Sequence, residues 1–257
     1  MSVRSNGQKI SSFVLFFCVY TVSASAQAKD IPAHGSAIVL FNGKDLNQFD
    51  TFLRSAGLNS DPNHVFKVEH GVVHVSGTEF GYFITKREYK NYYLRAEFKW
   101  GEETFAPRQG QARDSGILYN IQGPNKVWPR SVEFQINEGC TGDFWMTDGA
   151  ALTGIGPDGK ADARVTGPEG KASKIDRFHK GEFKNVTGFR DPTNELEKPH
   201  GQWNVVELVN RDGHVWQYVN GKLANEGTDA FPVSGKILFQ SEGAEVFFRK
   251  MKVYPLK

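Results

Sequence analysis

The chain has 257 residues, of which 39% are hydrophobic and 13% aromatic, and a formal net charge of +2. That length suits one β domain of generous size, and a near-neutral balance without a Lys/Arg block gives no electrostatic reason to expect nucleic acid or an acidic membrane surface. With only two cysteines, Cys18 and Cys140, the chain is not a disulfide-stapled scaffold and must rely on an ordinary core.

The first element is a leader. Arg4 and Lys9 precede an apolar run from Ile10 to Val22, and Ala24-Ser25-Ala26 supplies a small-residue cleavage pattern. This reads as a secretory signal peptide over 1–26, too short for a convincing membrane span, so the protein is expected to be exported, periplasmic or secreted. The leader carries two cations and no acidic residue, so its removal takes the net charge to 2 − 2 = 0 and leaves Cys140 alone. Residues 27–257 are expected to form a single domain with no further membrane span.

Nearly every periodic segment after the leader reads as strand. Phe66 to Val75 holds two short runs that turn at Glu69-His70-Gly71, followed by Tyr82 to Thr85 and Asn91 to Trp100. Gly116 to Gln122 and Ser131 to Asn137 come next. Residues 139–200 are rich in Gly, Asp, Lys and Pro and lack apolar periodicity, so they are expected to form one long irregular loop of the kind that often serves as a lid or binding loop. Trp203 to Asn210, His214 to Val219, Lys236 to Ser241 and Glu245 to Tyr254 complete the chain, with turns at Asp212-Gly213, Asn220-Gly221 and Glu242-Gly243. Many short strands with regular turn signals, and no helical period, predict an all-β antiparallel sandwich of jelly-roll type.

Ser131 to Asn137 is the most informative strand. Val132, Phe134 and Ile136 alternate with Ser131, Glu133, Gln135 and Asn137, so one face enters a core and the other carries a carboxylate and two amides. Such groups grip sugar hydroxyls, and a carboxylate can also move protons; a plain solvated sheet face would give the same alternation. Trp203, Trp216 and Phe239 are expected to fill the core.

Several fragments resemble one family. Leu40-Phe41-Asn42-Gly43-Lys44-Asp45-Leu46 looks like its opening LFNGKDL, and Leu94-Arg95-Ala96-Glu97-Phe98-Lys99 like an LRxEF+ strand. Asp114-Ser115-Gly116-Ile117 is similar to NSGI, Val132-Glu133-Phe134-Gln135-Ile136 to YEVQI, Gly201-Gln202-Trp203-Asn204 to GEWN and Val219-Asn220-Gly221 to LNG. Ile237 to Gln240 and Val246 to Arg249 resemble the closing IGLQ and VEFRNI. In this order they identify the chain, over 38–257, as a member of the DUF1080 or 3-keto-disaccharide hydrolase domain family. The resemblance implies a concanavalin-like sandwich related in shape to family 16 glycoside hydrolases, with substrate in a concave sheet. The chain lacks the ExDxxE cluster of those enzymes, and its key strand offers one carboxylate where a double-displacement glycosidase needs two.

The resemblance also implies a substrate already oxidised to a ketone at sugar carbon 3, supplied by a sugar 3-dehydrogenase. A ketone acidifies the hydrogen on carbon 2, so one base can remove it and the group on carbon 1 can leave; water adds afterwards. Such a site needs a base, a stabiliser for the enolate oxygen and an acid near the leaving oxygen. Glu133 is the expected base, with His200 and Glu242 as further acid–base candidates. Arg113, Asp114, Tyr119, Gln135, Asn137 and Gln240 are expected to bind substrate, and Trp128 and Trp145 to offer stacking platforms. Against these stand bland readings: a surface ion pair for Arg113 and Asp114, a core aromatic for Tyr119, a loop anchor for either Trp and an exposed loop residue for His200. No cofactor is assigned. A divalent cation held by some of Asp114, Glu133, Glu138, Asp143 and His200 is conceivable chemistry, but no metal-ligand spacing supports it. The alternatives to an enzyme are a non-catalytic carbohydrate-binding module of the cell envelope and a structural or adhesion domain, the latter leaving the Glu133 row unexplained.

Overall fold

The structure, a computed structural model, describes Met1 and residues 31–257. The leader expected over 1–26 lies, beyond Met1, outside the described residues. In chain order the strands are β1 (Ile38–Val39), β2 (Phe49–Leu53), β3 (Gly57–Leu58), β4 (Phe66–Glu69), β5 (Val72–Val75), β6 (Gly81–Thr85), β7 (Tyr89–Lys90) and β8 (Tyr92–Thr104), then β9 (Asp114–Gln122) and β10 (Arg130–Asn137). They continue with β11 (Phe144–Thr147), β12 (Ala151–Ile155), β13 (Ala161–Thr166) and β14 (Ala172–Ile175). β15 (Asn204–Arg211), β16 (His214–Val219), β17 (Lys222–Phe231), β18 (Ser234–Ser241) and β19 (Ala244–Pro255) end the chain. Among the described residues no helix is long and apolar enough to cross a membrane.

These strands build two antiparallel sheets. One runs β13-β12-β17-β16-β15-β8-β19-β5-β4 with β1 against β19; the other runs β14-β11-β10-β9-β18-β6-β2-β3 with β7 against β18. The expected all-β sandwich is therefore present. Alternation sets its core: Leu94, Ala96 and Phe98 of β8 and Val206 and Leu208 of β15 share one apolar cluster with Ile117, Val132, Phe134, Ile136 and Phe239 of the other sheet. Burying each large apolar side chain there contributes about 1.5–3 kcal/mol.

Residues 139–200 differ from the expected single loop, because they contain β11 to β14. β13 is almost wholly exposed and β14 half so, so neither strand has an apolar face to read; edge pairing, not core burial, makes them strands. β11 pairs with β10, and β12 pairs with β17 in the other sheet. The longest stretch there without strand is 176–203. Phe239 is fully buried as expected. Trp203 is instead half-buried on the outer face of the larger sheet, with the Arg249 guanidinium 3.9 Å and the Lys99 ammonium 5.5 Å from its ring, and Trp216 stacks at 3.8 Å on His214.

Candidate active site

Directly opposed residues of antiparallel neighbours point to the same side of a sheet, so the register of β10 maps the outer face of the smaller sheet. Across β9, Asn137 opposes Asp114, Gln135 opposes Gly116 and Glu133 opposes Leu118. On the other flank Glu133 opposes Trp145. On β18, Leu238 opposes Leu118, which places Gln240 on this face and Glu242 just past the strand end. The sheet thus gathers Asp114, Glu133, Gln135, Asn137, Gln240 and Glu242, residues from three strands, into one patch.

A cleft of about 640 Å³ lies over this patch, with Trp128 and Trp145 on its walls. Gly116 makes the packing possible: a Cβ there would stand 2.1 Å from Glu133 Oε1 and 2.4 Å from Gln240 Oε1, so no side chain fits beneath those groups. Gln135 Nε2 donates to Asp114 Oδ1 at 3.0 Å.

Arg108 closes the cluster. Its Nη1 meets Asp114 Oδ2 at 2.6 Å and its Nη2 meets Glu242 Oε1 at 2.5 Å. The turn carrying it is docked on the Glu242-Gly243 corner: the Phe105 N–H donates to the Gly243 carbonyl and the Arg108 N–H to the Phe105 carbonyl, each at 2.8 Å. Sequence reasoning missed Arg108, which sits in an aperiodic turn with nothing to distinguish it from a solvated cation.

Three buried carboxyl groups thus surround one guanidinium, and their proton affinities follow. Burial pushes Glu133 well above the usual carboxylate range and the charges of Glu242 and Asp114 push it further, against a smaller pull from Arg108. Asp114 is raised by burial and by Glu242, although Arg108, Asn137 and the Ser115 N–H ease it down. Glu242 is raised by burial despite the Arg108 charge and hydrogen bond and the Trp128 indole. Clefts with such perturbed groups are where acid–base chemistry is found.

The walls come from loops. Trp128 is 39% exposed and packs edge-on against Phe80 at 5.9 Å, within a loop tied down by the Tyr82 hydroxyl, which donates to Asn125 Oδ1 at 3.2 Å. Opposite, Lys180 bridges Asp143 at 3.0 Å and Asp176 at 2.7 Å. Phe183, also missed from sequence, lines the cleft while 41% exposed. Its loop is fastened where Gly188 N–H donates to Glu138 Oε2 at 3.0 Å and the Thr187 hydroxyl to the Gln111 carbonyl at 2.6 Å.

Three expected site residues fall elsewhere. Tyr119 lies on the opposite parity of β9 and is fully buried in the core between the sheets, its hydroxyl toward Gln217. Arg113 turns away from the cleft to bond Glu138 Oε1 at 2.7 Å and the Glu102 carbonyl at 3.1 Å, a structural tie. His200 meets the exposed Glu102 at 2.9 Å and does not line the cleft. The five residues considered for a cation are likewise dispersed: Glu138 is engaged by Arg113, Asp143 by Lys180 and His200 by Glu102. Among the described residues no group of three or more His, Cys, Asp or Glu side chains is arranged to hold a metal ion.

Comparison with known proteins adds a family. The sequence model of the 3-keto-alpha-glucoside-1,2-lyase-like domain matches residues 36–254. Two crystal structures of candidate glycosyl hydrolases from Parabacteroides distasonis ATCC 8503 have the same fold. One is 22% identical with a TM-score of 0.53, covering 86% of this chain and 94% of its own; the second is 18% identical with a TM-score of 0.52, covering 86% and 100%. No curated protein matches the chain.

Proposed function

This chain belongs to the 3-keto-alpha-glucoside-1,2-lyase-like family, and from that premise we propose that it cleaves the glycosidic bond of glycosides already oxidised to a ketone at sugar carbon 3. The observation that carries this reading is the pairing of Asp114 and Glu242 on one guanidinium, with the buried Glu133 beside them, at the base of a cleft. A base takes the acidified proton from carbon 2; its electron pair forms the carbon 1–carbon 2 double bond as the bond from carbon 1 to the leaving oxygen breaks. An acid protonates that oxygen, and later addition of water to the unsaturated sugar gives net hydrolysis. Buried carboxyl groups with raised proton affinity suit both proton transfers near neutral pH. Arg108 sets the charge of the cluster, Gln135 and Asn137 hold sugar hydroxyls, and Trp128 and Trp145 supply stacking surfaces.

The leader read in residues 1–26 supports export, and the oxidised substrate calls for a sugar 3-dehydrogenase upstream. The test is release of aglycone from chromogenic 3-keto-glucosides of both anomers beside the unoxidised glucosides. Turnover of the keto compounds alone is expected. Sugar binding without turnover of any of them would discard the enzyme and favour a binding module.

A further inference from the structure

We propose that Glu133 stands in the resting protein as a neutral carboxylic acid whose proton on Oε1 is shared with the side-chain carbonyl of Gln240, and that it delivers this proton to the departing glycosidic oxygen. The second half rests on the function proposed above; the first does not. It also reverses the role expected from sequence, in which Glu133 was the base.

The argument begins with where each oxygen finds a donor. Asp114 Oδ1 accepts from Gln135 and Oδ2 from Arg108, while Glu242 Oε1 accepts from Arg108. Glu133 Oε1 and Gln240 Oε1 are both buried with no partner. Both crowd the same point above the Gly116 Cα. Two buried acceptors side by side leave each other unsatisfied, whereas one proton between them satisfies both with a single O–H···O bond. An ionised Glu133 would instead leave two oxygens without donors.

Charge points the same way. The groups facing Glu133 are Asp114 on β9, Glu242 beyond β18, Arg108 from its turn and Lys174 on β14 across Trp145. Arg108 already holds Asp114 and Glu242, and Lys174 is engaged by Asp176 at 2.6 Å. Asp114 and Glu242 are therefore the ionised members, and the third carboxyl keeps its proton because burial and those two charges raise its affinity.

The proton balance closes within the cluster. Glu133 gives its proton to the leaving oxygen as the bond to carbon 1 breaks. One carboxylate of the Asp114–Glu242 pair takes the proton from carbon 2, whose electron pair enters the carbon 1–carbon 2 double bond. The cluster ends with as many protons as it began with, moved from Glu133 to a neighbour, from which the starting state is restored by transfer through water.

A rival arrangement turns the Gln240 amide so that its NH₂ faces an ionised Glu133. Infrared difference spectra of the protein at pH 7 without substrate separate the two. Apart from the band of the buried Glu197, which Glu197→Gln identifies, a carboxylic-acid carbonyl band should be present in wild type, absent in Glu133→Gln and displaced in Gln240→Leu. Absence of that band from wild type would overturn the proposal and establish the turned amide. Carbon-13 NMR of glutamate-labelled wild type through a pH titration reads the same group if either variant fails to fold. For the catalytic half, Glu133→Gln should lose about 10²–10³-fold on a keto-glycoside with a poor leaving group but less than about tenfold on a nitrophenyl one, since an acid matters less when the leaving group needs no proton. Equal losses on both would make Glu133 the base and overturn the assignment. If wild type cleaves no keto-glycoside, the functional reading fails while the infrared result still decides the protonation state.

Discussion

The outer faces of the two sheets handle buried carboxylates in opposite ways. On the larger sheet Glu97 is held by Arg249 at 2.8 Å and by Arg95 and Lys250 at 3.2 Å each. On the smaller sheet Asp114 and Glu242 share Arg108, and Glu133 stands beside them without an ion pair to it. Glu97 and Glu133 are each 5% exposed, but the Glu133 carboxyl lies deeper, so both depth and the ratio of charges distinguish them. Burial raises Glu97, but the hydrogen bonds and charge of Arg249 and the bonds from Lys250 and Arg95 outweigh it and leave this carboxyl below its ordinary range. Glu133 goes the other way. A buried carboxylate is thus no mark of a site; a buried carboxylate short of cations is.

The largest way to break this contrast is to remove the cation that pairs directly with the cluster, Arg108. Arg108→Met should lower kcat/KM on a 3-keto-glycoside by at least about 10²-fold, the scale of losing a preorganised charged group. The variant should also unfold more easily at pH 7 than at pH 5, because Asp114 and Glu242 lose their partner and can be buried only when protonated. Kinetics and thermal unfolding at both pH values check this, and activity within about threefold of wild type would remove Arg108 from the site. Gly116→Ala should act next most strongly: its methyl group would occupy the point that Glu133 Oε1 and Gln240 Oε1 approach. Displacing both carries a fall in kcat on the order of 10–10²-fold, read by steady-state kinetics with circular dichroism confirming the fold.

Glu97→Gln sharpens the contrast from the other side. It leaves Arg95, Arg249 and Lys250 without their carboxylate, but all three reach water, so the loss should be only about 1–2 kcal/mol. Denaturant unfolding should show that loss with turnover within about twofold. A fall in activity as large as in the Arg108 variant would mean that the two faces are not functionally distinct.

How much of this was legible in sequence follows the same physics. Alternation in residues 131–137 gave both the core row and the cleft row, because period two is a backbone property that survives folding. Glu133, Gln135 and Asn137 were therefore readable, Asp114 was picked only from its place before the Ser115-Gly116 turn, and Glu242 followed from its place after an alternating strand. Tyr119 failed by parity: it opposes Val132 on the core side of the sheet. Arg113 and Arg108 are both arginines of one polar stretch, and only the docking of Phe105 on Gly243 decides which reaches the carboxyl groups. That contact spans more than a hundred residues, and no local pattern encodes it. β13 and β14 were invisible for the same reason, since their strand character comes from partners and not from an apolar face.

Glu197 offers the smallest and most selective test, a buried carboxyl whose two donors are both neutral. Trp100 Nε1 donates to its Oε2 at 2.9 Å and the Thr141 hydroxyl to its Oε1, pinning the strandless 176–203 segment to β8 and to the turn after β10. Burial raises its pKa to about 7 from 4.5, with smaller increases from Glu195 and Glu138 and decreases from the Thr141 and Trp100 bonds. The folded chain therefore binds this proton more tightly than the unfolded chain does. The associated stability is complete below pH 4.5, declines as pH rises toward 7 and is gone above it, about 3 kcal/mol in all. Glu197→Gln should remove that decline. Thr141 can turn its hydroxyl to the Asn137 carbonyl at 3.1 Å, which frees its oxygen to accept from the new amide. The variant should match wild type near pH 4.5 and exceed it at pH 8 in urea unfolding, with turnover at pH 7 unchanged. A loss of the same size at both pH values would mean that the bond from Trp100 to a carboxylate outweighs the cost of burying its charge, which would place Glu197 nearer to Glu97 than to Glu133.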